Sequence, residues 1–456
     1  MKVEIERFGP IKRFHYDLDK DFIVTYGNNN IGKSYSMQII YLLLKTFRNQ
    51  ALASTTMIGA ETEVLEEGLK TMVADFLGSQ ADSAEITNII SDRFYQVFTQ
   101  LFLHEFVHSC QNTFGNFEIT LEEDPVIHVN FHQFSFDIHL KEERIIGKIN
   151  VKTIQLVKTE SGFHKSRDLK NVFYIYVADH IGQAVQAIIQ YISERLVEWK
   201  QWIRAEFNDI YFLPASRSGI YSGMNAFGPI VAELSKNRAY ITRKIELPGI
   251  SEPISDYFIA LSNIKARQNG QYAEYYSKIE KDILKGKVIF DRNRNAIMYQ
   301  PDRVEAQFEM SEVSSMVSEI SPIVAFLKYM IGLQSKKEEG GTSILFIEEP
   351  EAHLHPYNQI ALVEVFSELV KANVKLIITS HSNYVFNKLN NLILSKKLDY
   401  HAYQPMILED LDGGSVSKVL PIDELGASDE NFVDVSEKLY YEREEMIQNM
   451  YMEETF

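Results

Sequence analysis

The residues Gly27-Asn28-Asn29-Asn30-Ile31-Gly32-Lys33-Ser34 constrain this chain more than any other stretch, because they satisfy G-x-x-x-x-G-K-[ST] at every fixed position. A short β-prone run, Phe22 to Tyr26, precedes the loop, and a helical apolar pattern, Ser36 to Phe47, follows it. A strand, a glycine loop and a helix in that order predict an α/β fold. The glycines let the backbone curl so that its N–H groups face phosphate oxygens at a helix N-terminus. Lys33 is expected to reach the β- and γ-phosphates of a nucleotide, and Ser34 to offer its hydroxyl to Mg²⁺.

A second stretch answers the first. Ile344 to Ile347 are four consecutive apolar residues, read as a strand buried on both faces, and they run into Glu348, Glu349 and Pro350. Two acids at the C-terminal end of a buried strand carry a desolvation cost, so they need cations or hydrogen bonds. In an open α/β sheet this is also where ligands bind. The reading is a Mg²⁺–nucleotide site, with Glu348 holding the metal directly or through water and Glu349 polarising a water. An acidic first turn of the following helix is the plainer alternative. A further buried strand, Val374 to Thr379, ends at Ser380-His381-Ser382, which puts a histidine where it can hydrogen-bond a γ-phosphate or an attacking water.

At 456 residues there is length for two or three domains, and an apolar fraction of 45% supplies a sizeable core. The net charge of −17, from 63 acidic and 46 basic residues, opposes indiscriminate nucleic-acid binding but leaves room for a local basic groove. One cysteine, Cys110, excludes an internal disulfide framework and fits a reducing compartment. Neither a signal-peptide pattern nor an uncharged apolar run of about 20 residues is present, so a cytoplasmic protein with no membrane association is expected.

Along the chain, residues 1 to 26 read as strands with a turn near Gly9-Pro10. This edge is similar to the opening of the ABC-type ATPase heads of the SMC and OLD families, a resemblance that implies nucleotide contacts for Lys12 and Arg13, against a plain solvated turn. Residues 50 to 112 read as helix. They contain His104-Glu105-Phe106-Val107-His108, a literal match to H-E-x-x-H, with no recognisable third ligand downstream, so incidental histidines on a helix are favoured over a zinc site. Asn116 to Lys158 shifts to period two and predicts an antiparallel subsheet, and Asp179 to Phe207 returns to helix without sustained heptads. A strand at Ile210 to Leu213 leads into Pro214-Ala215-Ser216-Arg217. There Arg217 suits phosphate or carboxylate recognition through its planar fork, or else satisfies carbonyls. Residues 228 to 287 read as helix broken at Pro248-Gly249 and Pro253, and Val288 to Gln300 as a hairpin. Ser314 and Ser315 precede a helix, where hydroxyls and free N–H groups grip a phosphate or merely cap the helix. Past His381, short strands near Ile407 and Val416 and an acidic helical tail are expected.

Taken together these elements resemble the OLD/SMC-like ABC-type ATPases, in particular the AAA family ATPases of prokaryotic anti-phage defence such as the PARIS and Septu ATPase subunits. The resemblance covers residues 1 to 47, 210 to 220 and 311 to 395. It implies an α/β, ABC-type P-loop ATPase head with an N-terminal β subdomain and a large helical insertion. The head would comprise residues 1–50 and 288–420 with strands from 116–158 and 210–220. Residues 51–115 and 179–287 would be helical insertions for dimerisation or partner contact, and 421–456 an acidic tail. The implied ligands are ATP and Mg²⁺, held by Gly27, Asn28, Asn29, Asn30, Ile31, Gly32, Lys33, Ser34 and Glu348. Glu349 is implied as the catalytic carboxylate and His381 as the switch histidine. Ser314 and Ser315 would stand for the signature motif, which here lacks its glycines, and would touch the nucleotide of the other subunit in a head-to-tail homodimer or higher homo-oligomer. Glu348 replaces the usual aspartate and implies slow hydrolysis. SMC-type arms and an OLD-type Toprim domain are both missing, which implies a separate effector protein, of nuclease or Toprim type, and a phage-derived trigger. The rival reading is a DNA-repair or DNA-end-sensing ATPase of the RecF/SMC kind that binds DNA directly, and a third is a nucleotide-gated scaffold that barely hydrolyses ATP.

Overall fold

The computed structural model describes residues 1–53, 58–115, 124–150, 152–160, 165–169, 172–178, 181–223, 236, 249–264, 270–331, 341–411, 413–428 and 440–447. The chain opens with β1 (Lys2–Phe8), β2 (Ile11–Asp17) and β3 (Phe22–Gly27), and β1 and β2 form a hairpin through the Gly9-Pro10 turn. Helix α1 (Lys33–Leu52) starts inside the glycine loop. Next come α2 (Ile58–Gly78), β4 (Ser83–Glu85) and α3 (Thr87–Phe114), so the helical run expected over 50 to 112 is interrupted by a three-residue strand.

The period-two region gives β5 (Val126–Phe131), β6 (Phe134–His139), β7 (Arg144–Ile149) and β8 (Thr153–Lys158). Its expected start at Phe117, Ile119 and Leu121 lies outside the described residues. Two strands without a counterpart in the sequence reading follow, β9 (Lys165–Leu169) and β10 (Val172–Val177). They join β4 and β8 in a separate four-stranded sheet ordered β4-β8-β10-β9. Helix α4 (Ile181–Glu206) then runs into β11 (Phe207–Leu213).

Within the region expected to be helical from 228 to 287, the described parts are α5 (Glu252–Ser262) and α6 (Ala273–Lys278), which continues as a π-helical turn over Ile279–Leu284. Residues 228–248 lie outside the described part, except 236. Strands β12 (Gly286–Asp291), β13 (Ala296–Pro301) and β14 (Phe308–Glu309) make a small antiparallel sheet that includes the expected hairpin. The last third alternates α7 (Ser315–Tyr329), β15 (Thr342–Glu348), α8 (Pro356–Lys371), β16 (Val374–Ser380), α9 (Asn383–Leu394), β17 (Tyr403–Leu411) and β18 (Gly414–Val419).

These elements assemble on one eleven-stranded sheet, ordered β11-β15-β16-β3-β17-β18-β2-β1-β5-β6-β7. From β11 to β17 every neighbouring pair is parallel, as strands buried on both faces require. From β2 to β7 every pair is antiparallel, so β5 to β7 of the expected antiparallel subsheet continue the main sheet, while β8 leaves it for the four-stranded sheet, where it runs parallel to β10. Each face of the sheet has its own core. One gathers Phe47, Phe98, Phe136 and Trp199 and packs α1, α3 and α4 together. The other gathers Leu345, Ile347, Phe326, Phe366 and Leu389 beneath α7, α8 and α9. The effect is to bring the C-terminal ends of β3, β15 and β16 side by side between two packed layers.

Candidate functional site

Strand β3 ends at Gly27, with φ at +142°, where an added Cβ would lie 2.7 Å from both Ile31 Cδ1 and the Leu408 carbonyl oxygen. Gly32 has φ at +97° and rests against Pro10 of the first hairpin, 3.0 Å from where its Cβ would stand. No other residue meets both demands of backbone and space. Between them Asn28, Asn29, Asn30 and Ile31 form the loop, with Asn30 also left-handed at +68°. Gly32 begins α1 without a side-chain cap, so the first N–H groups of a 20-residue helix face the loop. Lys33 curls back into this loop, its Nζ donating to the carbonyls of Gly27 at 3.0 Å and Asn28 at 2.5 Å.

Glu348 and Glu349 end β15 and diverge at once. Glu348 is buried, and its Oε2 accepts from the Ala215 N–H at 3.0 Å, while Ser34 hydrogen-bonds the same carboxylate from across the sheet end. Burial pushes its pKa up despite these bonds. Gln38, one turn along α1 from Ser34, sits 3.5 Å from Oε1. A buried carboxylate and a hydroxyl side by side are hard oxygen donors, and the cost of the buried charge is what a divalent cation offsets, so the residues fit Mg²⁺.

Glu349 takes a left-handed backbone, φ +41°, that turns its carboxylate away from Glu348. Such a conformation in a residue with a side chain costs roughly 1–3 kcal/mol and persists where the surroundings impose it. Here the Glu349 N–H donates to the Thr379 carbonyl at 3.2 Å. Its Oε1 lies 3.2 Å from His381 Nε2, and this hydrogen bond holds the carboxylate below its ordinary pKa. Glu351 completes the cluster. It is buried, its pKa is raised by that burial, and its Oε1 accepts from Ser380 Oγ and from the His381 N–H, both at 2.7 Å.

Two of these carboxylates, Glu349 and Glu351, act on Lys33 through their charge. Burial pushes Lys33 down to about 8, against the opposing pull of Glu349 and Glu351. The free amine is therefore charged below about pH 8 and loses its proton above it, whereas a phosphate-bound amine holds its proton to higher pH. Affinity for Mg²⁺–ATP is expected to be level up to pH 7 and to fall about tenfold between pH 7 and pH 9. Titration calorimetry at those two values checks this, and an affinity unchanged at pH 9 would contradict it.

The other candidates divide. Ser314 and Ser315 are exposed at the start of α7, and the Ser314 hydroxyl makes no capping bond, its carbonyl accepting instead from Ser318. They lie on a different element from the loop of Gly27 to Ser34. Arg217 departs from the expected phosphate contact. It is fully buried, and its guanidinium donates to the carbonyls of Pro214, Glu319, Glu348 and Glu349 at 2.8–3.4 Å. The planar fork is used on protein carbonyls, and Nε also pairs with the Glu319 carboxylate at 3.4 Å.

Arg13 is ion-paired to Glu4 across the hairpin. In H-E-x-x-H, Glu105 accepts from Asn49 at 2.9 Å and Gln50 at 2.6 Å, which ties α3 to α1. Among the described residues no metal-spaced group includes His104 or His108. Sequence reasoning missed Gln38, Glu319 and Glu351. For Gln38 the i+4 spacing from Ser34 was a usable signal, and for Glu351 its place in the acidic stretch.

A parallel sheet with a phosphate loop at one strand end and paired glutamates at a strand two places away is a P-loop ATPase architecture, α/β with helices on both faces. The chain belongs to the AAA ATPase domain family, whose model matches residues 1–386. No curated protein sequence matches it. Among solved structures it is similar to an Smc head bound to the C-winged helix domain of ScpA, at 13% identity, 93% of this chain, 98% of that one and a TM-score of 0.36. The SMC head domain from Thermotoga maritima matches at 10% identity over 92% and 98% with a TM-score of 0.35. The Smc head with an extended coiled coil bound to the C-terminal domain of ScpA, from Pyrococcus furiosus, matches at 12% over 92% and 95% with a TM-score of 0.34. Overlaps this loose carry no functional argument. No helix among the described residues is long and apolar enough to cross a membrane.

Proposed function

We propose that this chain is the ATP-binding and hydrolysing switch subunit of a prokaryotic anti-phage defence system, dimerising head to tail around ATP and regulating a separate effector protein. The observation that carries the reading is a division of labour. Lys33, Ser34, Glu348, Glu349 and His381 gather at adjoining strand ends, while the exposed, uncapped Ser314 and Ser315 begin another helix and are available to a second copy.

In this reading the N–H groups from Asn28 to Ser34 and the Lys33 amine bind the β- and γ-phosphates. Ser34 and Glu348 would hold Mg²⁺, which would supply charge neutralisation at the phosphate oxygens. Glu349 stays ionised because His381 hydrogen-bonds it, which suits it to accept a proton from water. His381, fixed by its own N–H on Glu351, orients that carboxylate. The long Glu348 side chain in place of aspartate favours slow turnover.

Native mass spectrometry of the protein co-expressed with the product of its neighbouring gene, with and without ATP and in Lys33→Ala, tests the reading. An assembly with that product that requires ATP and Lys33 is the expected result. A lone dimer that ignores the neighbour and binds DNA with a steep salt dependence would overturn it in favour of the repair-type ATPase.

A further inference from the structure

A charge buried as deeply as Arg217 is a poor device for stability alone, since a well-packed apolar residue usually does as well. Its bonds join three separate elements at the site. Nη1 donates to the carbonyls of Pro214, past the end of β11, at 3.2 Å and of Glu348, the end of β15, at 2.8 Å. Nη2 reaches the Glu349 carbonyl at 3.4 Å, and Nε donates to the Glu319 carbonyl in α7 at 2.9 Å. The Glu319 carboxylate grips the same loop from the other side. Its Oε2 accepts from the Arg217 N–H at 2.9 Å, and its Oε1 from the Ser218 N–H at 3.2 Å and hydroxyl at 2.7 Å. Within this loop Ala215 donates to the Glu348 carboxylate, and Ser216 holds a left-handed φ of +55°.

Glu319 lies four residues along α7 from Ser315, about 6 Å down the helix axis and ahead of the helix's interior Pro322, and Ser314 is the N-cap just before Ser315. A displacement at the serines is therefore carried along the first turn of α7 to residues 214–218. From there it reaches both the carboxylate of Glu348 and the strained backbone of Glu349. Packed, fully bonded elements of this kind move between discrete arrangements instead of deforming by degrees.

We infer that Glu319 and Arg217 are positioning residues that couple the two ends of the head, so that engagement of Ser314 and Ser315 by a second copy's nucleotide sets the geometry of Glu348 and Glu349 in this copy. The inference rests on the head-to-tail reading above. It makes hydrolysis at each site answerable to occupancy of the other.

The test is a double-mutant cycle on the full chain, with kcat and KM for Mg²⁺–ATP measured in Ser314→Ala/Ser315→Ala, in Glu319→Gln and in the combination, each first checked by thermal unfolding. The serine change is expected to lower kcat by about 5- to 150-fold, the usual range of intersite coupling. Glu319→Gln should do the same with KM moved less than about twofold, and the combination should be no worse than either alone. Effects that multiply would overturn the relay while leaving the head-to-tail reading intact. A serine change without effect on kcat would remove that reading, and the relay with it. Glu319→Gln keeps the volume and one acceptor oxygen; should it unfold, Arg217→Lys serves as the second variant under the same criteria.

Discussion

Glu349→Gln is expected to lower kcat by about 10²–10⁴-fold, the usual contribution of a positioned general base, while ATP binding persists. Glutamine keeps the length, the amide oxygen can still accept from His381, and the left-handed backbone is equally available to it. What is lost is the negative charge that takes a proton from water. The variant should therefore accumulate as an ATP-bound dimer, seen as a shift in size-exclusion volume that outlasts removal of free nucleotide. Single-turnover hydrolysis measures the rate directly. Turnover near the wild-type value would show that Glu349 is not the base and would move the chain towards a nucleotide-gated scaffold.

Lys33→Ala acts earlier. Two charge-assisted hydrogen bonds to phosphate, at roughly 1.5 kcal/mol each, put the loss of ATP affinity at about a hundredfold or more. The folded protein without nucleotide is expected to be no less stable, because burial already works against the charged amine. Thermal unfolding separates the two effects. Mg²⁺–ATP at about a hundred times its Kd stabilises the wild type by roughly 2.7 kcal/mol, and at the same concentration that increment should fall to about 0.4 kcal/mol or less in the variant while the melting point without ATP stays level. A variant that melts early even without ATP would make Lys33 a fold residue first.

What could be read from the sequence was whatever is contiguous. The loop from Gly27 to Ser34 and the run from Ile344 to Glu349 each carry strand, break and functional side chains within a dozen residues, and both sit at the strand ends that their order predicts. What could not be read depends on partners far apart in the chain. The carbonyl that receives Arg217 is 131 residues away and the glutamate that braces it 102, so no local pattern marks either. Arg217, expected to recognise a phosphate or a carboxylate, is instead spent inside the protein, on four backbone carbonyls and the Glu319 carboxylate. The H-E-x-x-H match misleads for a related reason, since the spacing of Glu105 is a helix property and its partners on α1 come only from packing. Strand β9 escaped because its five mostly polar residues carry no strand pattern, whereas β10, Val172-Phe173-Tyr174-Ile175-Tyr176-Val177, carried a readable β-branched and aromatic run that was overlooked.

The position of β3 in the sheet has a consequence for how the molecule is made. Its two hydrogen-bonding neighbours, β16 and β17, are translated roughly 350–380 residues after it, about 20–75 s at ordinary ribosome speeds. Until then the phosphate loop is anchored to a strand with neither of its eventual partners, and Phe22, Val24 and Tyr26 have no second layer to cover them. The early hairpin and α1 meet partners sooner, in β5, α3 and α4. A nascent or truncated chain lacking β16 cannot bring His381 to the loop.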